Sequence, residues 1–474
     1  MVMRAIGART VTWDCRRLLV RHLIVLIFLG SIAIEPTLLV ADSPGRCEAR
    51  AISYEGWKAQ ELFNQWVHVI IVPQLGGRVM QVQFGGHDYL FVNPAYKGKY
   101  IPPVEAAKDQ WINYGGDKLW PLPEGHGDAE HWPGPISDAL DDGEYNFRIV
   151  RESEMCTVRL DGPADAATGL KYSRDITIGA NSPEIFFHAE MKNTSDRAIR
   201  WSVQSVTQYD TAEPQNATRY NHDFWAFAPV NSQSTYMDGY HVRNGLADDP
   251  SFSIRDGLFS LHWLYLENEV WLDEDAGWIA VVDDAAKFGM VEKFQYAAGE
   301  EYPGRASVIF YKNGAALELD KDGMPQLRSA DPRTSPYYLE AELNSPMVRL
   351  QPGDSYAFET TWHPVRADKN LVSVNDAGVV EKPLAAVVES KGLRLTGKYG
   401  VFLSGKLIVQ VSAANGTKTT ILLDAVDPLH EVELDRVIPV SSDAVRISIH
   451  LNDDQGSDLG VLDEVEIARP GKSS

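Results

Sequence analysis

The stretch "VPQLGGRVMQVQFGGHDYLFVNP", from Val72 to Pro94, indicates how this chain folds. Two short runs, Arg78–Phe84 and Tyr89–Val92, are separated by "GGHD" and preceded by "PQLGG". Glycine, proline and aspartate favour turns, whereas short runs rich in Val, Phe and Tyr favour strands. The stretch therefore predicts short strands joined by tight turns.

Runs of the same kind recur along the chain, and helical patterning is nearly absent. They include "WVHVIIV", "YNFRIV", "CTVRL", "EIFFHAEM", "RWSVQSV", "WIAVVD", "ASVIFY" and "YAFETTW". Many strands at short spacing favour a large antiparallel sandwich. After Trp362–Asn370 aromatic residues become rare, which indicates a second unit. We predict an all-β chain with a large sandwich at 48–366, a linker at 367–379 and a small β-sandwich at 380–474.

The N-terminus has the pattern of a secretion signal. Five arginines precede an apolar run from Leu23 to Ile34, and small residues then lead to Ala41. We predict a signal peptide at 1–41, although an uncleaved anchor is the alternative. The run is too short for a confident membrane span. We therefore expect an exported protein, periplasmic or extracellular, with no stable membrane span after signal cleavage.

Charge and cysteine content restrict the partners and the compartment. The formal net charge is −22, which disfavours binding to nucleic acid and suits neutral or cationic ligands. Cys47 and Cys156 are the cysteines outside the predicted signal. A disulfide between them is compatible with export, but their spacing alone does not establish it.

A long loop, "NYGGDKLWPLPEGHGDAEHWPGP" from Asn113 to Pro135, is the first candidate ligand site. Its carboxylate and ammonium groups suit sugar hydroxyls, its indoles suit the C–H face of a sugar ring, and its imidazoles titrate near neutrality. The residues concerned are Asp117, Lys118, Trp120, Trp132, His126 and His131. The alternative is that both Trp-Pro pairs seal the edge of the sandwich.

Other chemistry is weakly indicated. "HGDAEH" (126–131) offers metal-ligand types, but its spacing matches no established zinc pattern, so we predict no metal. There is no phosphate-binding or dinucleotide-binding motif, and we predict no cofactor. Arg78 alternates with apolar residues, so it needs an anionic partner, either a protein carboxylate or a ligand.

The stretch "YYLEAELNSP" (Tyr337–Pro346) is the second candidate site. As a strand it places Glu340 and Glu342 on one face, where two carboxylates raise each other's proton affinity. This is one way to make a general base usable at neutral pH, although an ordinary solvent-facing strand is the alternative. "NHDFW" (Asn221–Trp225) adds His222 as a candidate acid.

These motifs together resemble the galactose-mutarotase-like (aldose-epimerase-like) superfamily, most closely its exported bacterial members of unassigned function. The resemblance covers roughly Ile52–Val365 and rests on Val72–Pro94, on "NYGGDKLWPLPE", on "MKNTSDRAIRWSVQ" and on "YYLEAELNSPMVRLQPGDSYAFETTWHPV". It implies a large antiparallel β-supersandwich with a concave sugar-binding face.

The resemblance also implies roles for particular residues. Glu342, or else Glu340, would occupy the general-base position, and Arg78, Asn113, Asp117, Lys118 and Trp120 would line the cleft. Related mutarotases carry a catalytic histidine after the Asn-x-Ser-Asp turn, whereas this chain reads "WSVQSVTQYD" (Trp201–Asp210). Gln204 could bind a hydroxyl there but cannot act as an acid.

Three functions follow from these features. The first is an exported carbohydrate-binding protein acting in poly- or oligosaccharide use. The second is a carbohydrate-active enzyme, either a sugar epimerase or a polysaccharide lyase, with Glu342 as base and a histidine as acid. A lyase would use Arg78 or Lys118 to neutralise a uronic carboxylate. The third is a structural protein of the cell surface.

Overall fold

The computed structural model describes residues 45–103, 111–125, 130–135, 139–214, 216–319, 321–322, 324–328 and 330–467. The predicted signal peptide lies outside this part of the chain, as do His126 and Asp128 of the "HGDAEH" motif. None of the helices in the described ranges is long and apolar enough to cross a membrane.

Strands make up most of the described chain and confirm the predicted all-β class. They are β1 (Glu48–Tyr54), β2 (Trp57–Phe63), β3 (Val67–Val72), β4 (Arg78–Phe84), β5 (His87–Asp88), β6 (Asp117–Leu122), β7 (Asn146–Arg151), β8 (Met155–Ala164), β9 (Leu170–Gly179), β10 (Ile185–Asn193), β11 (Ile199–Asp210), β12 (Ala212–Glu213), β13 (Asn216–Tyr220), β14 (Phe224–Pro229), β15 (His241–Gly245), β16 (Phe252–Arg255), β17 (Leu258–His262), β18 (Asn268–Leu272), β19 (Trp278–Asp283), β20 (Phe288–Phe294), β21 (Val308–Lys312), β22 (Leu317–Leu319), β23 (Pro325–Leu327), β24 (Tyr338–Asn344), β25 (Val348–Leu350), β26 (Ser355–Arg366), β27 (Ser373–Val374), β28 (Gly378–Glu389), β29 (Gly392–Val401), β30 (Gly405–Ala413), β31 (Lys418–Val426), β32 (Val432–Ile438), β33 (Ala444–Asn452) and β34 (Asp458–Glu466). A short helix, α1 (Ala139–Asp142), and a 3-10 turn at Pro303–Arg305 interrupt them.

Two large sheets form the main sandwich. A twelve-stranded sheet runs in the order β1-β2-β3-β4-β6-β11-β24-β21-β18-β15, with β5 and β25 at its side. A ten-stranded sheet runs in the order β16-β17-β14-β19-β20-β26-β10-β9-β8-β7. The strand pairs within both sheets are antiparallel, and β4 and β24, which are distant in sequence, are separated only by β6 and β11.

The main core lies between the two large sheets. Apolar residues from both sheets contact one another there, among them Val203 and Leu339 of the first sheet and Ile176 and Trp362 of the second. A disulfide joins Cys47, next to β1, to Cys156 of β8, with their Cα atoms 5.8 Å apart. It therefore connects the start of the twelve-stranded sheet to the ten-stranded sheet.

The C-terminal region forms a smaller sandwich with its own core. Its two four-stranded sheets run in the orders β27-β28-β29-β32 and β31-β30-β33-β34, and the apolar residues between them are completely buried, as at Val409 and Ile449. A separate apolar cluster joins this sandwich to the ten-stranded sheet through Trp278, Val365 and Phe402. The segment predicted as a linker, 367–379, contributes Leu371 and other buried residues to this junction.

Candidate functional site

A cleft of about 440 Å³ opens on the face of the twelve-stranded sheet that is turned away from the main core. Its size is within the range of ordinary ligand pockets. Aromatic side chains and carboxylates predominate among the residues that line it. The lining comprises Trp111, Trp120, Leu122, Pro123, Glu124, Gly125, Pro135, Gln204, Arg243, Glu269, Trp271, Pro303, Gly304, Ile309, Tyr311, Glu340 and Glu342.

The central part of the cleft is built by strand alternation on β24. Glu340 and Glu342 are two residues apart, so both side chains project from the same face. The next strand, β11, places Gln208 opposite Glu340 and Val206 opposite Glu342. Both carboxylates therefore face the cleft.

Cross-strand hydrogen bonds hold these carboxylates. Lys118 Nζ of β6 donates to Glu340 Oε1 at 2.9 Å, and Gln208 Nε2 donates to the same oxygen at 2.7 Å. The amide of Gln204 donates to Glu342 Oε2. The Lys118 side chain is 1% exposed, so its charge is paired inside the protein and not offered to solvent.

A buried ion pair between Asp141 and Arg78 orients two indoles on the β6 side of the cleft. Trp120 Nε1 donates to Asp141 Oδ1 at 2.7 Å, and Trp111 Nε1 donates to Asp141 Oδ2 at 3.3 Å. The carboxylate of Asp141, on α1, lies 2.8 Å from Arg78 Nη2, and both side chains are fully buried. Arg78 thus acts through Asp141 on the position of both indoles.

The other side of the cleft comes from β18, β21 and β15. Glu269 and Trp271 are two residues apart on β18, so their side chains project from the same face. Trp271 Nε1 donates to Glu269 Oε1 at 2.5 Å. Gly304 packs directly against the Trp271 ring with a φ of +55°. A register shift in β15 lies at Arg243, and such a bulge re-aims a side chain. The carboxylates of Glu340 and Glu342 therefore have Trp111 and Trp120 on one side and Trp271 on the other.

The cleft raises the proton affinity of its carboxyl groups. Burial, followed by the charges of Glu340 and Glu269, raises the pKa of Glu342 well above its usual value. Desolvation, followed by Glu269 and Glu340, raises the pKa of Glu124 to about 7, although this residue lies at the exposed mouth. Burial also raises the pKa of Glu269, and it lowers the pKa of Lys118 against the opposing effect of Glu340.

Several residues expected from the sequence come together here. Glu340, Glu342, Trp120 and Gln204 line the cleft, and Lys118 lies under it with its ammonium 4.6 Å from the centre of the Trp120 ring. Other expected residues lie elsewhere. Arg78 is paired with Asp141 behind the cleft, so the protein carboxylate is its partner and not a ligand.

Asp117 was expected to bind substrate, but it lies on the opposite face of the sheet. It is one position before Lys118 in β6, and strand alternation turns its side chain into the core. There it forms a fully buried ion pair with Arg174 of β9 and accepts hydrogen bonds from Ser205 and Thr207. Its role is structural in this arrangement.

The remaining candidates that the structure describes do not line the cleft. The Asn113 backbone oxygen accepts a hydrogen bond from Asn93, and Trp132 is buried against Trp120 with ring centres 5.5 Å apart. His131 is half-buried beside Gly125, and His126 lies outside the described residues. His222 is exposed, and its ring centre lies 4.1 Å from that of Tyr220. It does not line the cleft, so its position does not support the expected role as the acid.

Four further residues line the cleft that were not among those expected from the sequence, namely Arg243, Glu269, Trp271 and Tyr311. "YLENEVW" (Tyr265–Trp271) carried a usable signal, because Glu269 and Trp271 alternate on one strand face. What the sequence does not show is that β18 lies two strands from β24 in the same sheet.

One cluster of carboxylates elsewhere has metal-ligand geometry. Asp368, Glu381 and Glu431 bring their oxygens within 4.8 Å of one another. The ammonium of Lys398 already lies 2.7, 2.8 and 3.1 Å from these three groups, respectively. Lysine therefore supplies the positive charge at this point.

Comparison with known proteins gives structural neighbours only. No family model and no curated protein matches this chain. A TPR-domain containing protein from Parabacteroides distasonis is 15% identical with a TM-score of 0.43, over 65% of this chain and 47% of that one. A galactose mutarotase-like protein from Clostridium acetobutylicum is 9% identical with a TM-score of 0.42, over 68% and 99%.

A galactose 1-epimerase from Lactobacillus acidophilus is 11% identical with a TM-score of 0.38, over 68% of this chain and 99% of that one. Since the TM-scores of these three neighbours are below 0.5, the function proposed below rests on the side chains of the cleft.

Proposed function

We propose that this chain is an exported carbohydrate-binding protein whose cleft holds a sugar unit of a poly- or oligosaccharide. The observation that carries the proposal is the joint placement of Trp111, Trp120 and Trp271 around Glu340 and Glu342. Indole faces bind the apolar C–H face of a sugar ring, and carboxylates accept hydrogen bonds from hydroxyl groups.

The charge of the cleft argues against a uronic acid as the bound unit. Arg78 is paired with Asp141, and Lys118 is paired with Glu340, so neither is available for a ligand carboxylate. The lyase reaction needed one of them for that purpose. Arg243 is the cation among the described lining residues, and three lining carboxylates besides Glu340 outnumber it. We therefore place neutral and cationic sugars ahead of uronic acids.

Two observations support action outside the cytoplasm. Residues 1–41 have the sequence pattern of a secretion signal. Cys47 and Cys156 form a disulfide, which persists in oxidising compartments such as the periplasm or the extracellular space.

A glycan array tests the proposal, with neutral hexoses, amino sugars, uronic acids and their oligomers. We expect binding that is weakened at least about tenfold in Trp120→Ala and Trp271→Ala, because each loses a stacking face. Glu359→Gln is a matched control, since Glu359 is an exposed carboxylate on β26 of the other sheet. Absence of binding to every sugar, or equal binding by all variants, contradicts the proposal.

A second candidate function is proton transfer on the bound sugar, as in epimerisation. The specific observation in its favour is that Glu342 and Glu124 line one cleft and both have raised pKa values, that of Glu124 being about 7. A carboxyl group that titrates near the working pH is suited to general acid–base catalysis. In this reaction Glu124 would take the place of the missing histidine.

Following the bound sugar for product separates the two candidates. Incubation with each array hit, analysed by NMR over hours, should show an anomeric or epimeric product if the cleft is catalytic. Glu342→Gln should then remove turnover, whereas Glu359→Gln should keep it. If the wild type binds the sugar and forms no product, the catalytic function is contradicted and the binding function is supported.

A further inference from the structure

We propose that the cleft selects a sugar bearing a free ammonium group, an amino sugar unit, and that Glu342 and Glu269 hold that ammonium. This inference rests on the proposed function, because it names the class of sugar that the same cleft binds.

The first argument is the charge balance of the cleft. Four carboxylates line it, namely Glu124, Glu269, Glu340 and Glu342. Lys118 compensates Glu340 at 2.9 Å. Arg243 is the cation among the described lining residues, and it forms no ion pair within 4 Å there, its guanidinium lying 5.9 Å from the Trp271 ring centre. The three other carboxylates therefore exceed the positive charge available to them.

The second argument is the supply of hydrogen-bond donors. Glu342 is 6% exposed, and one of its oxygens accepts from Gln204. Among the described residues no donor reaches its Oε1. Glu269 likewise accepts from Trp271 through Oε1 alone. An ammonium group offers three donors and a positive charge, whereas a hydroxyl group offers one donor and no charge. The ammonium therefore fits the two open carboxylate oxygens better.

The third argument is the position of these two residues in the sheet. Register pairs Glu342 with Ile309, and Ile309 with Trp271, so Trp271 lies two strands from Glu342 in one row. Glu269 lies in the next row on the same face, where Tyr311 separates it from Glu340. The Cα atoms of Glu342 and Glu269 are therefore separated by two strand spacings and by one two-residue step, a diagonal of roughly 12 Å. Two glutamate side chains that extend toward each other across this span leave room for a small cation between their carboxylates.

The raised pKa of Glu342 in the free cleft means that binding of an ammonium group should be coupled to proton release. Burial, followed by the charges of Glu340 and Glu269, raises the pKa of Glu342, so the free cleft favours its protonated form more than water does. The groups that face it are Glu124, Glu269, Glu340, Lys118, Arg243 and Tyr311. A bound ammonium favours the ionised carboxylate and so lowers this pKa, which means that binding should release protons to the buffer at pH values where Glu342 is partly protonated.

Isothermal titration calorimetry tests the inference on the whole chain. The probes are glucosamine, galactosamine and mannosamine, each beside its N-acetyl form and its parent hexose, together with chitosan tetramer and chitin tetramer. We expect at least one amino sugar to bind about tenfold or more tightly than both neutral counterparts at pH 7. Titration in two buffers of different ionisation enthalpy should show proton release for that sugar only.

Variants locate the selectivity. Glu342→Gln and Glu269→Gln should each reduce the preference for the amino sugar over its parent hexose to about twofold or less, because the amide keeps an accepting oxygen but has no charge. Glu359→Gln should keep the full preference. Tight binding of a neutral sugar without a preference for its amino form overturns this inference and leaves the proposed function standing. Absence of binding by every sugar overturns both.

Discussion

Asp117 and Lys118 are neighbours in β6, and their side chains project to opposite faces of the twelve-stranded sheet. Asp117 pairs with Arg174 inside the core, whereas Lys118 supports Glu340 under the cleft. Two residues of similar appearance in the sequence thus have different roles, because one step along a strand reverses the face.

Asp117→Ala should destabilise the fold and not merely weaken binding. The substitution leaves Arg174 buried without a partner, so we expect the free energy of unfolding to fall by about 3–5 kcal/mol. Urea unfolding followed by circular dichroism measures this. Glu359→Ala, at an exposed position, should change it by less than about 0.5 kcal/mol. Equal effects of the two variants would contradict the buried pairing.

Glu342 should make stability depend on pH. The pKa of its carboxyl group is higher in the folded protein than in the unfolded chain, where it is about 4.3. The contribution of Glu342 to the free energy of unfolding is therefore fully present below the unfolded pKa and is lost as pH rises through the folded pKa. Glu342→Gln mimics the protonated form. We expect its melting temperature relative to wild type to be higher at pH 8 than at pH 5. A difference that is the same at both pH values would rule out a raised pKa.

At the scale of elements, the cleft depends on how β18 and the Pro303–Arg305 turn meet. Gly304 has a positive φ and lies against the Trp271 ring, where an added Cβ would overlap the indole. The ring in turn donates to Glu269. The turn therefore fixes both the stacking face and the nearby carboxylate.

Gly304→Ala should weaken sugar binding by displacing Trp271. We expect an affinity loss of about tenfold or more in calorimetry, because the indole is a central contact. Gly299→Ala is the matched control, since Gly299 also has a positive φ, of +84°, but has open space where the Cβ would stand. Equal losses in both variants would indicate general strain and not displacement of the ring.

Elements also show what the sequence could and could not predict. The shared face of Glu340 and Glu342 was predictable, because strand alternation is a local property. The pairing of Arg78 with Asp141 and the approach of Glu269 to the cleft were not, because both depend on which distant strands become neighbours. The expectation for Asp117 was wrong because Asn113–Pro135 was interpreted as a loop, whereas Asp117–Leu122 forms β6, in which neighbouring side chains face opposite sides of the sheet.

At the scale of the whole molecule, the small C-terminal sandwich is joined to the main one by a buried apolar cluster and by Lys398. Its ammonium contacts Asp368 next to β26 and Glu381 and Glu431 of the smaller unit. The change in composition after Trp362–Asn370 indicated a second unit in the sequence, but not how closely it packs.

Lys398→Met should loosen this junction. Three carboxylates would lose their shared cation, so we expect a loss of about 3 kcal/mol, at the low end for a buried pair because Lys398 is partly exposed. Calorimetric melting at pH 7 measures it. Lys418→Met, at an exposed position on β31, is the control and should melt like the wild type. An unchanged melting temperature in Lys398→Met would contradict the role of this ion cluster.

The central claim is that the cleft between Trp120 and Trp271 binds a sugar through Glu342. Its most direct test is calorimetric titration of wild type, Trp271→Ala, Glu342→Gln and Glu359→Gln with the tightest-binding amino sugar and its parent hexose. We predict that Trp271→Ala weakens both sugars, that Glu342→Gln weakens the amino sugar selectively, and that Glu359→Gln changes neither. No binding to wild type, or binding that all three variants retain, would contradict the claim.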